Sequence, residues 1–351
     1  MKHVFSLLFL FGSLSLSAQD YHFSQFFANP LSLNPALTGL FEGRYRVSLA
    51  SRSQWGQTLE TPYATTAFNA DFHYFINPRK RQYKDAFGVG VNFVSDRLAE
   101  FNYSVNQIMI SGAFHKSLDP RNNQYLSIGG QFGVVQRNVS YDGLTFDDAF
   151  DGTSVFVDGA TLEAFPANNY AFGDWQLGIN YGFAPKNATS VNLGLAMHHV
   201  GEPEQSFYNE LTTGEEIVVT NLLPRRYSGY LNIGVPLSRD VLLSPRVYAF
   251  SQGPHVMINS GSNIRFLIND SNGAALHLGA YARVVDSVSG LGLDSAVGMV
   301  GVELSNFLIG LSYDVGLNGL QTSRRHQGAF ELNLAYLGKG SDDESVPCPR
   351  F

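Results

Sequence analysis

Between Gly328 and Leu337 the chain changes face with every residue: Phe330, Leu332, Leu334 and Tyr336 alternate with Ala329, Glu331, Asn333 and Ala335. A period of two puts the greasy, aromatic-ended row on one face of a β-strand and the small or polar row on the other. Near the end of an exported chain, such a strand offers one face to lipid and the other to a lumen.

The same alternation recurs along the chain and predicts about fourteen strands. They cover Arg44–Ser53, Ala64–Ile76, Ala86–Ser95, Tyr103–Lys116, Gln124–Asn138, Gly173–Ala184 and Ser190–Val200. The rest are Tyr227–Pro236, Val241–Phe250, His255–Phe266, Ala274–Val285, Ser295–Leu304, Phe307–Gly316 and Gly328–Leu337. Gln107–Gly112 and Val284–Leu293 do not alternate cleanly. Helix-period segments are scarce, so the class is all-β: a transmembrane antiparallel β-barrel with periplasmic termini and long extracellular loops.

The first residues, MKHVFSLLFLFGSLSLSAQ, read as a secretory signal peptide over 1–18, with cleavage just before Gln19. No later apolar run is long enough for a membrane helix. A mean hydropathy of −0.06 does not argue against a barrel, because only alternate residues meet lipid. The 27 Phe, 17 Tyr and 35 Gly fit aromatic girdles and eased strand curvature. A net charge of −7 argues against a nucleic-acid partner, and the single Cys348 permits no internal disulfide.

Connection lengths add an independent signal. Counting from a periplasmic start, the even connections are compact and turn-rich, whereas the odd ones include the two longest, Tyr141–Phe172 and Gly201–Arg226. A soluble sandwich has no reason to sort loop length by parity. Residues 44–337 therefore form an outer-membrane barrel, followed by a polar periplasmic tail over 338–351. Residues 19–43, broken by Asn29-Pro30 and Asn34-Pro35, form an ordered segment that is periplasmic or enters the lumen.

Catalytic chemistry is not apparent. There is no G-x-S-x-G, H-E-x-x-H or P-loop, no cofactor is expected, and the protein reads as a non-enzyme. Gly88-Val-Gly90 reads as curvature inside a strand. His198-His199 is the one metal cue, but neighbours in a strand point to opposite faces and do not share an ion. The acidic stretch with Asp142, Asp147, Asp148, Asp151 and Asp158 lacks the order and closing Glu of an EF-hand, leaving calcium open. The inward rows carry Arg44, Arg46, Arg52, Asp71, His73, His277, Arg283 and Glu331, which line a pore or seal a plugged one. Facing lipid at mid-membrane, each would cost about 2–4 kcal/mol.

The mature start QDYHFSQFFANPLSLNPALTG, with YRVSLASRSQW behind it, resembles the opening of the PorP/SprF family of Bacteroidetes outer-membrane proteins. The resemblance continues through VNLGLAMHHVGEPEQSF, NLLPRRYSGYLNIGV, LSPRVYAFSQGPHVMINSGSNIRF, LHLGAYARVVDS, IGLSYDVGLNGL and FELNLAYLG to the final PCPRF. One departure is Leu37 in NPALTG, where Tyr is frequent. The resemblance implies a cell outer-membrane accessory of the type IX secretion system, of the gliding-adhesin type. Its implied partner is a secreted protein with a type B C-terminal sorting domain, which the barrel helps secrete or anchor. It also implies that Phe330, Leu332, Leu334 and Tyr336 guide barrel assembly while facing outer-membrane lipid.

A closed barrel leaves a partner only loops, mouths or lumen. Aromatics concentrate interface energy. The expected contacts are Phe146, Phe150, Phe156, Phe165 and Trp175 at the first long loop, and Phe207 and Tyr208 in the second, unless these pack as a lid. Arg79-Lys80-Arg81 and the Pro-Cys-Pro-Arg tail face the secretion machinery or simply solvent. The rival function is a general diffusion porin or other outer-membrane channel.

Overall fold

The computed structural model describes residues 20–56, 61–98, 102–142, 165–207, 221–270, 273–287, 290–317 and 328–338, with scattered positions between 144 and 153. Residues 1–19, which include the expected signal peptide, the expected tail past residue 338, Phe156, Tyr208, Asp147, Asp151 and Asp158 lie outside the described residues.

The first seven strands are β1 (Tyr45–Gln54), β2 (Tyr63–Phe75), β3 (Ala86–Leu98), β4 (Tyr103–Ser117), β5 (Gln124–Val139), β6 (Asn169–Phe183) and β7 (Ser190–His198). The next seven are β8 (Arg226–Pro236), β9 (Val241–Gln252), β10 (His255–Asn269), β11 (Ala274–Ser287), β12 (Gly290–Leu304), β13 (Phe307–Gly316) and β14 (Gly328–Leu337). Each pairs antiparallel with its sequence neighbours, and β1 pairs with β14, Arg52 opposite Glu331, so the sheet closes on itself. Closure satisfies backbone groups that hydrocarbon cannot.

Alternation explains the two rows. On β6, Trp175, Leu177 and Ile179 are exposed outward while Asp174, Gln176 and Asn180 are buried inward. On β14, Phe330 and Leu334 are exposed, and Glu331 and Asn333 buried. Gln107–Gly112 fails to alternate because Met109 is an apolar residue on the inner face between outward Ile108 and Ile110. The irregular Val284–Leu293 contains a register shift, with Arg283 opposite Ser295 and Val284 opposite Leu293, so the bulge breaks the pattern there. Base turns place Asn122, Asn187 and Ser305 at φ near 57°, 57° and 55°, a left-handed geometry that short polar side chains tolerate. The outer connections are uneven: 140–168 and 199–225 are long, but only two residues join β9 to β10 and β11 to β12.

A barrel of this strand number is too wide for its wall side chains to fill. Residues 20–43 fill it. They are inside the barrel rather than beneath it, and Leu31, Leu37 and Leu40 are almost fully buried. The segment folds into three short helical turns, Phe26–Ala28, Pro30–Leu33 and Pro35–Leu37. Two of these begin with Pro after Asn, which fits the first helical position, where no amide donor is needed. Asn34 caps the last turn by accepting the Ala36 N–H at 2.8 Å.

Candidate functional site: a filled lumen beneath an aromatic rim

The segment descends from the outer end of the barrel to its base and is held at three levels. At the base, Asp71 of β2 accepts the Gly39 N–H at 2.7 Å and a two-nitrogen contact from Arg46 of β1 at 3.0 and 2.7 Å. Arg46 also donates to the Leu37 carbonyl at 3.1 Å, and the His115 ring reaches the Thr38 carbonyl at 2.8 Å. Further up, Ser24 and Gln25 donate their backbone N–H groups to the two oxygens of Glu331, at 2.7 and 2.9 Å. The Ser24 hydroxyl lies 2.7 Å from Asp314, 2.6 Å from Arg52 and 3.2 Å from Arg283. Both arginines also pair with Asp314, at 2.9 and 3.0 Å.

At the outer level, Asp20 sits among the ends of β7, β8 and β9. His199 presents Nε2 to Asp20 at 2.6 Å and Nδ1 to Asp174 at 2.9 Å, Arg226 stands 3.3 Å from Asp20, and Gln252 accepts the Asp20 N–H at 3.2 Å. Deeper along β9, Phe26 stacks on Tyr248 at 5.2 Å and Arg246 lies over the Phe27 ring at 3.9 Å. Tyr230, Phe250, Met257, Tyr281 and Met299 complete an apolar core inside the barrel. The segment and the wall therefore share one apolar cluster within the lumen.

The wall is shaped for this segment. A Cβ on Gly88 would lie 2.1 Å from the Thr38 carbonyl oxygen, and one on Gly129 would lie 2.5 Å from that of Pro35. On Gly178 it would strike Asn34, whose amide donates to the Ile179 and Leu195 carbonyls. Gly88 is thus a close-approach site as well as a strand residue. Gly88→Val is expected to cost about 1–3 kcal/mol, against no measurable loss for Gly298→Ala, whose Cβ would meet nothing within 4 Å. Denaturant titration of the detergent-solubilised barrel measures both.

Arg46, Arg52, Asp71, His277, Arg283 and Glu331 are buried inside the barrel. His73 is half-buried, its ring 5.1 Å from Phe41. Arg44 is exposed, one residue ahead of β1, so it belongs to the base and not to the lumen row. His198 and His199 both point inward, contrary to strand alternation, because β7 ends at His198 and His199 turns to φ 55°. They are bound by Gln176, Ser228 and the two aspartates, and the described residues hold no metal-binding group.

Burial opposes charge on His199, but Asp20 and Asp174 outweigh it and raise the ring to about 9. Burial likewise favours a protonated Asp20, yet His199 and Arg226 hold it well below the ordinary carboxylate range. His199 has an ordinary value of 6.5 once unfolded, so its contribution is full below that pH and lost as pH rises through about 9. His198 and Gln252 complete the surroundings. The stability gap between wild type and His199→Gln is expected to be roughly 1–3 kcal/mol at pH 6 and to close by pH 10. Unfolding curves at both pH values test this, and a gap independent of pH would refute it.

At the rim, Phe165 stacks on Tyr141 at 4.7 Å and meets Phe146 at 5.2 Å, while Phe150 is exposed and Phe207 half-buried. Trp175 is not part of this group. It lies on the outer face of β6 against Phe132 at 5.1 Å, facing lipid. Sequence reasoning missed Asp20, Ser24, Gln25 and Thr38; inner-row glycines were the available clue.

Fold and lumen together define a plugged outer-membrane β-barrel. The profile of the family described as "Type IX secretion system membrane protein PorP/SprF" matches residues 15–336, and the chain belongs to that family. Among solved structures, it is similar to the Ralstonia pickettii toluene transporter TbuX, at 12% identity and a TM-score of 0.46, covering 88% of this chain and 93% of that one. A Pseudomonas aeruginosa FadL homologue matches at 10% identity and a TM-score of 0.45, covering 86% and 92%. No curated protein matches the sequence.

Proposed function

We propose that this barrel is a non-enzymatic accessory of the type IX secretion system. It helps secrete, or holds at the cell surface, a partner protein carrying a type B C-terminal sorting domain. Membership of the family supports an association with the secretion machinery. The observation that carries the finer reading is the filled lumen. With residues 20–43 buried between both ends of the barrel, the outer connections are the surface left for a partner. There the Tyr141, Phe146 and Phe165 group and the exposed Phe150 supply aromatic anchors of the kind that dominate interfaces.

The test is affinity purification of the tagged barrel from outer membranes, beside surface proteomics of a deletion strain. A secreted protein with a C-terminal sorting domain should copurify and be lost or released from the deletion strain's surface. If neither happens, the anchoring reading fails. A diffusion porin would instead conduct solutes and leave secretion intact on deletion. The buried segment weighs against that alternative.

A further inference from the structure

The periplasmic base carries a cationic surface that the lumen and rim do not use. The turn between β2 and β3, residues 76–85, is the longest base connection, and its Arg79, Lys80 and Arg81 are exposed. Among the described residues no acidic side chain pairs with any of the three. The turn is nonetheless rigidly built. Ile76 donates its N–H to the Asp85 carbonyl at 3.0 Å and Lys80 to that of Asn77 at 3.1 Å. Asn122, from the neighbouring β4–β5 turn, donates to the Arg81 carbonyl at 2.8 Å and accepts the Lys84 N–H at 2.7 Å. Lys116 closes the brace on Asp85 at 2.7 Å. A merely solvated charge run needs no such cross-bracing.

Position in the membrane identifies what the cations meet. Tyr74 faces outward near the base end of β2 and packs on Phe87 at 5.6 Å, while Phe307 and Tyr336 make a second aromatic pair at 4.6 Å at the same end of the barrel. Aromatic girdles mark the lipid–water boundary. The Arg79-Lys80-Arg81 turn follows directly, flanked by exposed Ile76, Tyr83 and Leu118. Cations beside apolar and aromatic side chains at that level meet phosphates with their heads and acyl chains with their neighbours. The other base turns add exposed Arg121, Lys186 and Arg239, against exposed Asp240 and Asp270. The outer stretch from 140 to 168 instead carries Asp and Glu with no Lys or Arg.

We infer that the β2–β3 turn, with Arg79, Lys80 and Arg81, is a binding site for anionic phospholipid of the inner leaflet, gripping headgroups at the base of the barrel. A protein of the secretion machinery with an acidic surface is the competing occupant. The interleaved apolar side chains at girdle level favour lipid, since a soluble acidic surface gives Ile76 and Leu118 nothing to enter.

The full mature barrel, purified and exchanged into mixed micelles holding equal phosphatidylglycerol and phosphatidylethanolamine, provides the test by native mass spectrometry. Wild type should retain phosphatidylglycerol over phosphatidylethanolamine by about tenfold. The Arg79→Ala/Lys80→Ala/Arg81→Ala variant should lose that preference, whereas Arg225→Ala at the opposite rim should keep it. An unchanged heat-modifiable band verifies folding, and the milder Arg79→Gln/Lys80→Gln/Arg81→Gln set serves if the alanine variant does not fold. Equal retention by wild type and the folded triple variant overturns the inference. So does a triple variant that keeps its lipid preference while losing a periplasmic secretion protein in pull-down.

Discussion

Removal of residues 20–41 is expected to turn a closed barrel into an ion-conducting one. The fourteen strands close through β1 and β14 without any help from that segment. What the segment provides is the filling: a barrel of this circumference lies between those that wall side chains fill and those that hold an aqueous channel. Phe26, Phe27, Leu33, Leu37 and Leu40 occupy the centre, and their loss would expose Arg52, Asp71, Arg283 and Glu331 to water. Planar-bilayer recordings should show wild type silent and the deletion variant passing current in stable steps, roughly tenfold or more above any wild-type leak. Wild-type conductance equal to that of the variant would mean that the segment does not close the lumen. The same recording bears on the porin alternative.

Glu331→Ala should be the most damaging single substitution in the lumen. Its carboxylate is fully buried, accepts the backbone N–H groups of Ser24 and Gln25, and stands 3.3 Å from Arg52. Truncation strands those two backbone donors and the Asn333 side-chain amide, and leaves Arg52 with Asp314, which Arg283 also engages, as its remaining carboxylate. Breaking a buried pair by removing one partner costs about 3–5 kcal/mol, much of it the desolvation of what remains. Glu331→Gln retains an acceptor and should lose less. Denaturant unfolding of the reconstituted barrel gives both values. A loss below about 0.5 kcal/mol, the size of an ordinary surface substitution, would mean that this cluster does not hold the segment.

Part of this architecture was legible in the chain. The alternation of Phe330, Leu332, Leu334 and Tyr336 against Glu331 and Asn333 is the side-chain period of a strand, and β13 and β14 coincide with their alternating stretches. Some strands continue past their regular rows: β6 begins at Asn169, ahead of Gly173, and β12 at Gly290, ahead of Ser295. The charged inner rows were legible for the same reason as the strands. Their partners were not. Ser24 meets Asp314 and Glu331 across nearly the whole sequence, and nothing local to QDYHFSQFF announces those contacts. His199 shows the converse failure, where a local rule about alternation gave way to a single left-handed residue.

The sequence by itself determined the class, the strand count and, where the rows alternate cleanly, which face meets lipid. All of these follow from a period of two and from where the turns interrupt it, properties of neighbours in the chain. Only the tertiary structure decided that the lumen is filled, by which residues, and through which ion pairs. A charged inner row satisfies the same alternation whether it faces water or a folded segment. The choice depends on long-range shape, as with Gly88 admitting the Thr38 backbone, and on the free energy of closing loops hundreds of residues long.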